Sequence, residues 1–202
     1  MALHRFDIAS LAAMPWKNGG GTTREIVCCP PGAGMDGFDW RVSIATIDRP
    51  GPFSAFAGVD RTIMLLEGVG VRLRSHDGAI DHALDVPLAP FAFSGDVALD
   101  CELLGGTSSD FNVMTRRGRL RAEVHVLRQG GLLEPGEAGL LLAVRGRWQM
   151  LPAHGVSDAI ACEPGTGLWW DGGAHAWRAD PFDAGAAMVA VRFVPTTTNL
   201  RD

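Results

Sequence analysis

Residues 64–73 read MLLEGVGVRL and residues 142–151 read LAVRGRWQML. Laid over each other at an offset of 78, Gly68 meets Gly146, each preceded by three apolar residues and one charged residue. The same offset puts FAFSG (91–95) on WWDGG (169–173) and DFNVM (110–114) on MVAVR (188–192), and an offset of 80 puts WRVSIATI (40–47) on LRAEVHVL (120–127). Four segments in one order, with a single small loop change, mark an internal repeat, and a repeat changes the domain count.

The repeated segments read as strands. In WRVSIATI, Trp40, Val42 and Ile44 share one face and Arg41, Ser43 and Ala45 the other, as strand geometry requires. The chain's 26 Gly and 12 Pro cut it into short apolar runs, so alternation with period two recurs while helical periodicity is not sustained. Further strands are expected near 61–66, 69–74, 97–103, 121–127, 139–144, 147–151, 157–162 and 186–194. A short helix is expected to start at Ser10 or to cover FSAFAG from Phe53. Two halves of antiparallel strands joined by Gly and Pro turns predict an all-β bicupin, two jelly-roll barrels packed side by side with few short helices. The division is expected at 117/118, giving units 1–117 and 118–202 that share a core.

The 202 residues carry a formal net charge of −5, which offers a polyanion no electrostatic partner, because nucleic-acid binding rests largely on clustered Lys and Arg. The one basic cluster, Arg116, Arg117, Arg119 and Arg121, has no interleaved aromatics and reads as a solvated edge. No stretch approaches a membrane span, and His4, Arg5 and Asp7 interrupt the amino terminus where a signal peptide needs an apolar run. A cytoplasmic protein without a membrane partner is expected. Its cysteines, Cys28, Cys29, Cys101 and Cys162, are few and irregular, so reduced thiols are the expectation.

Six histidines (His4, His76, His82, His125, His154, His175) form no His-x-His pair, so no metal and no other cofactor is expected; His175, between two Trp, is the best remaining ligand candidate and reads as a packed side chain. There is no G-x-S-x-G elbow, and NGGGTTRE (18–25) has the glycine spacing of neither a phosphate loop nor a dinucleotide fingerprint. The repeat is more informative. Asp110 and Asn112 stand where the second half has Met188 and Ala190, and Arg61 where it has Gly139. Buried polar groups cost free energy unless partnered, so the first barrel is the one expected to hold a polar cavity. Period two does not say which face is inside. The polar set Arg41, Ser43, Arg61, Asp110 and Asn112 either points outward or into a structural network, or lines that cavity with Trp40, Val42 and Ile44 packed behind it. In the second case the arginines offer a planar fork matched to a carboxylate.

PWKNGGGTTREI (15–26), FDWRVSIATI (38–47), GPFSAF (51–56), DRTIMLLEG (60–68), FSGD (93–96) and DFNVM (110–114) occur in that order and together resemble the HutD/Ves family, associated with histidine utilisation in bacteria. The resemblance implies a bicupin without the usual metal ligands, and a modulator of histidine degradation rather than an established enzyme. The implied ligand is a small carboxylate of that pathway, such as urocanate or formylglutamate. Matching by motif puts Lys17, Asn18, Gly19 and Thr22 of the first block, Arg41 and Ser43 of the second, and Ser54, Arg61, Asp110 and Asn112 at the ligand site, with the glycines letting backbone N–H groups approach it in an arm across the barrel mouth. Trp16, Phe53 and Phe56 read as core or rim packing.

Two other functions fit the same residues. One is an isomerase or lyase using Lys17, Glu25 or Asp110 as general acid or base. The other is an interaction protein of the pathway whose polar barrel is structural. A homodimer fits all three.

Overall fold

A computed structural model of the chain describes residues 2–153 and 158–196. Its strands are β1 (Ala2–Asp7), β2 (Ala13–Pro15), β3 (Gly21–Cys29), β4 (Trp40–Ile47), β5 (Gly51–Phe53), β6 (Val59–Glu67), β7 (Val71–Ser75), β8 (Asp81–Leu84) and β9 (Phe91–Ser94). They continue as β10 (Leu99–Leu103), β11 (Ser108–Arg116), β12 (Leu120–Leu127), β13 (Gly131–Arg145), β14 (Trp148–Pro152), β15 (Ile160–Cys162), β16 (Thr166–Pro181) and β17 (Ala187–Pro195). The fold is all-β. A 3-10 turn at Ile8–Ser10 ends where a helix at Ser10 was expected to begin, and Ser54–Gly58 form no helix, because Gly58 sits at positive φ and the segment turns into β6. One helical turn, Gly34–Gly37, lies in a segment whose sequence carries no helical period.

The chain folds into two compact units, Leu11–Arg121 and Ala122–Pro195, the latter joined by β1. The expected division at 117/118 left the first residues with the amino-terminal barrel. In the structure Ala2–Asp7 instead pair antiparallel with Thr166–Asp171 of β16, which gives that long strand a partner its own half does not supply.

Both units carry the same strand order, as the repeat requires. In the first, β2-β3-β4-β11-β6-β9 form one sheet and β5-β10-β7-β8 another. In the second, β12-β17-β13-β16 follow the order of β4-β11-β6-β9, and β16-β14-β15 that of β10-β7-β8. The difference is continuity. The single strands β13 and β16 run through regions where the first unit breaks into β5 and β6, and into β9 and β10. The break between β5 and β6 is the loop Ser54–Gly58.

Gly68 and Gly146 occupy the same turn in the two units, at φ 97° and 64°. A Cβ at Gly68 would stand 2.5 Å from the Thr107 carbonyl oxygen and 2.8 Å from Ser108 Cα. Each unit has its own apolar centre: Ile47, Ile63, Leu65, Leu73 and Leu99 in the first, and Leu141, Trp148, Met150, Leu168 and Met188 in the second. Cys28, Cys101 and Cys162 are free thiols.

Gly68→Ala should lower stability by about 1–3 kcal/mol, since it adds a backbone clash to left-handed strain. Gly78→Ala, at φ 74° with open space around it, should cost about 1–2 kcal/mol from the conformation alone. Urea denaturation of the two variants checks this, and an equal or smaller loss for Gly68→Ala contradicts it.

Candidate functional site

The register of the first unit fixes which side chains meet. Cys28, Arg41, Met114, Arg61 and Phe93 are aligned across β3, β4, β11, β6 and β9. The next row is Glu25, Ser43, Asn112 and Ile63, and the one after it Thr23, Ala45, Asp110 and Leu65. Side chains two apart on a strand share a face, so Arg41, Ser43, Ala45, Asp110, Asn112, Met114 and Arg61 all stand on one side of the sheet. That side is the one holding Ile63 and Leu65, hence the inner face of this barrel. Trp40, Val42 and Ile44, on the opposite face, are also buried.

A cavity of about 500 Å³ opens on this inner face. Arg41, Ser43, Arg61 and Asn112 line its floor and wall, Ser54 enters from the β5–β6 loop, and Lys17 and Asn18 from the turn between β2 and β3. Gly19, Thr22 and Asp110 do not line it. The Gly19 N–H donates to the Trp16 carbonyl at 3.0 Å and is therefore occupied. Thr22 and Thr23 project to opposite faces, and the cavity takes Thr23. Asp110 shares the face and stands in the row of Thr23 and Ala45, which do line the cavity, but its own side chain does not.

Gly19, Gly20 and Gly21 serve a tight turn rather than an anion cradle. Trp16 N–H donates to the Gly21 carbonyl at 2.9 Å, the Asn18 side-chain oxygen accepts from Gly20 N–H at 3.0 Å, and Gly20 in turn accepts from Asp48 and Arg49 N–H. Gly21 leaves no room for a Cβ, which would lie 2.1 Å from the Thr46 carbonyl oxygen. This packing sets Lys17 and Trp16 at the rim, with the Trp16 indole donating to Thr23 Oγ1 at 2.7 Å.

Sequence reasoning left out the apolar walls. Trp16, Phe53 and Phe56, expected as packing, line the cavity together with Met35 and Met114. Met114 was legible, since it alternates in step with Asp110 and Asn112; Met35, on the isolated helical turn, carried no signal.

The two arginines are held differently. Arg41, 7% exposed, donates from Nε to Glu25 Oε2 at 2.7 Å and from Nη1 to Ser43 Oγ at 3.2 Å. Arg61, 4% exposed, donates from Nη1 to the Ser54 carbonyl at 3.1 Å and lies over the faces of Phe53, Phe93 and Phe56 at 4.6, 5.1 and 5.3 Å from their centres. Its Nε has no hydrogen-bond partner among the described residues, nor have Asn112 Oδ1 and both oxygens of Asp110. Burial lowers the Arg61 pKa, with the Arg41 charge adding to the effect and Asp110 opposing it. Burial pushes the Asp110 carboxyl up to about 7 against the attraction of Arg61. This site is therefore a cationic pocket with donors unspent.

The second unit has a cavity of about 380 Å³ at the matching place, where Glu123, His125, Ala190 and Arg192 stand for Ser43, Ala45, Asn112 and Met114. Its guanidinium is already committed: Arg192 Nε and Nη2 bind Glu123 Oε2 at 2.8 and 2.6 Å. At Gly139, the counterpart of Arg61, a Cβ would stand 2.4 Å from the Trp170 ring, so an indole covers the position of the first unit's buried cation.

Among the described residues no three His, Cys, Asp or Glu side chains are grouped to hold a metal ion, and no helix is long and apolar enough to cross a membrane. His154 and the side chain of His175 lie outside the described residues. In the basic cluster, Arg117 binds Asp60 and Asp96, Arg119 binds Asp39, and Arg116 donates to the Asp36 and Ala57 carbonyls.

Because Asp110 holds its proton more tightly folded than at its ordinary value of 3.8, its contribution to stability is full below that value and is lost as pH rises through about 7. Between pH 4 and pH 8 the wild type should lose up to about 4 kcal/mol relative to Asp110→Asn. Urea denaturation across that range reads the difference, and a gap that does not change with pH contradicts the assignment.

Three comparisons place this geometry among known proteins. The chain matches the HutD family over residues 8–188. It is 37% identical over 174 residues to Protein Ves of Cronobacter sakazakii, covering 86% of this chain and 90% of that one. Among solved structures it is similar to HutD from Pseudomonas fluorescens SBW25 in its formate condition, with TM-score 0.80, 30% identity, and 96% and 100% of the two chains covered. A cupin 2 conserved barrel domain protein from Leptotrichia buccalis shares the fold alone, with TM-score 0.60 and 7% identity over 95% of this chain and 96% of that one. With a cupin-type all-β architecture, the family's motif blocks and a match spanning most of its length, the chain belongs to the HutD family, associated with histidine utilisation.

Proposed function

We propose that the cavity of the Leu11–Arg121 unit binds a small organic carboxylate, and that its occupancy modulates histidine utilisation. The observation that carries this reading is Arg61: a guanidinium out of water, bonded to one carbonyl, with its Nε unspent, on a residue that lines a cavity. An ionised group in that setting is costly until an anion reaches it, and a carboxylate matches the guanidinium fork in shape as well as charge. Arg41 adds a second cation on the same wall, and Lys17 a third at the rim. The volume suits a small molecule, and the Trp16, Phe53 and Phe56 walls exclude water from its apolar part. Urocanate and formylglutamate, carboxylates of histidine degradation, are the ligands this reading favours.

Titration calorimetry of both acids against wild type, Arg41→Ala and Arg61→Ala tests it, with thermal melts to establish that each variant is folded. Removing either arginine should weaken binding by about 2–5 kcal/mol, through the charge left without its partner. Arg61→Lys should recover only part of the loss, because an ammonium keeps the charge but not the fork. Equal affinity in wild type and both alanine variants overturns the proposal.

A further inference from the structure

We propose that Asp110 is a positioning residue that couples capture of the acid to uptake of one proton, so that the site fills as Asp110 becomes neutral. This rests on the carboxylate reading of the same cavity and adds what controls its occupancy.

Asp110 is 1% exposed, shares the inner face with Asn112 and Arg61, and lies opposite Ala45, which lines the cavity. Neither of its oxygens has a hydrogen-bond partner among the described residues, and it makes no ion pair with Arg61, so the two interact only through the field between them. A carboxylate with no donor is a poor resting place for a negative charge.

The charged and titratable groups around it are few. From β6 comes Arg61, and from β4 Arg41, whose Nε is taken by Glu25 of β3. From β10 comes Cys101, whose thiol is pushed up to about 12 by burial, Asp110 and Glu102, and so stays neutral. Lys17 stands at the rim. Arg41 thus has its counter-charge in Glu25. Arg61 has a single opening for one, filled either by ionised Asp110 from below or by a ligand carboxylate from the cavity.

Filling both places would put two anions beside one buried cation in a medium that screens them poorly. Arrival of the ligand anion therefore raises the proton affinity of Asp110, and by linkage protonation of Asp110 raises affinity for the anion. The proton comes from solvent and adds to an Asp110 oxygen; the ligand stays ionised and no bond within it changes. With the empty-site carboxyl titrating at about 7, the coupling operates around neutral pH.

The test uses the full chain and N-formylglutamate, whose carboxyls are ionised throughout pH 6–9, so any proton taken up belongs to the protein. Calorimetry in buffers of different ionisation enthalpy should show uptake rising towards one proton per site at the alkaline end. Kd should weaken up to about tenfold per pH unit above neutrality. Asp110→Asn should bind without proton uptake and with a flat pH profile, an outcome that a merely structural role would not produce. Wild-type binding with no proton uptake and a flat profile overturns the coupling while leaving the carboxylate reading intact, as does an unchanged slope in Asp110→Asn. Absence of binding to N-formylglutamate and urocanate alike overturns both. The wild-type buffer series decides the matter on its own should the variant fold poorly.

Discussion

A guanidinium held out of water with one carbonyl and three phenyl faces for company is the constraint around which the first barrel is organised. Transferring such an ion from water costs several kcal/mol even after the protein relaxes. The Phe53, Phe56 and Phe93 rings return part of that through their negative faces, at about 0.5–2 kcal/mol each, and the Ser54 carbonyl returns part through a charge-assisted hydrogen bond. What is left unmet is the unspent Nε and a counter-ion at bonding distance. The nearby carboxyl of Asp110 does not meet that need, because the same burial raises its pKa. A cavity, a second arginine and a basic rim all lie on the side from which an anion could supply what is missing.

The second barrel shows that the frame does not require any of this. Its strands repeat the order of the first, its own guanidinium is closed off by Glu123, and Gly139 with Trp170 occupies the place of Arg61. Continuity of backbone separates the two. In the second barrel β13 runs unbroken from Gly131 to Arg145, whereas in the first the chain leaves one sheet after Phe53 and enters the other at Val59. That excursion turns the Ser54 carbonyl onto Arg61 and brings Phe56 over it. Both halves of the duplicated frame thus keep an apolar centre, and the first exchanges sheet for a polar hollow beside it.

Much of the fold was legible because jelly-roll strands declare themselves by alternation and by the glycines that end them. Trp40–Ile47 appears where WRVSIATI placed it, and Gly68 and Gly146 mark one turn in both halves. The pairing of Ala2–Asp7 with β16 was not legible, because an edge strand adds by backbone hydrogen bonds that any side chains tolerate. At the cavity, parity grouped Arg41 with Ser43 without saying which face is inward, and comparison of the halves singled out Arg61, Asp110 and Asn112. Parity does not separate neighbours on one face: Asp110 and Asn112 share it, yet Asn112 lines the cavity and Asp110 does not. Gly19 looked like a donor for an anion until its N–H was found engaged by Trp16. Such backbone commitments arise from turn geometry that glycine content alone does not specify.

A crystal structure of the protein soaked with N-formylglutamate tests the central claim most directly. The account predicts density for a carboxylate in the first barrel with an oxygen within hydrogen-bonding distance of the Arg61 guanidinium, and the second barrel's cavity without it. An acid bound elsewhere, or a cavity in which the Arg61 guanidinium meets only ordered water at saturating ligand, would contradict it.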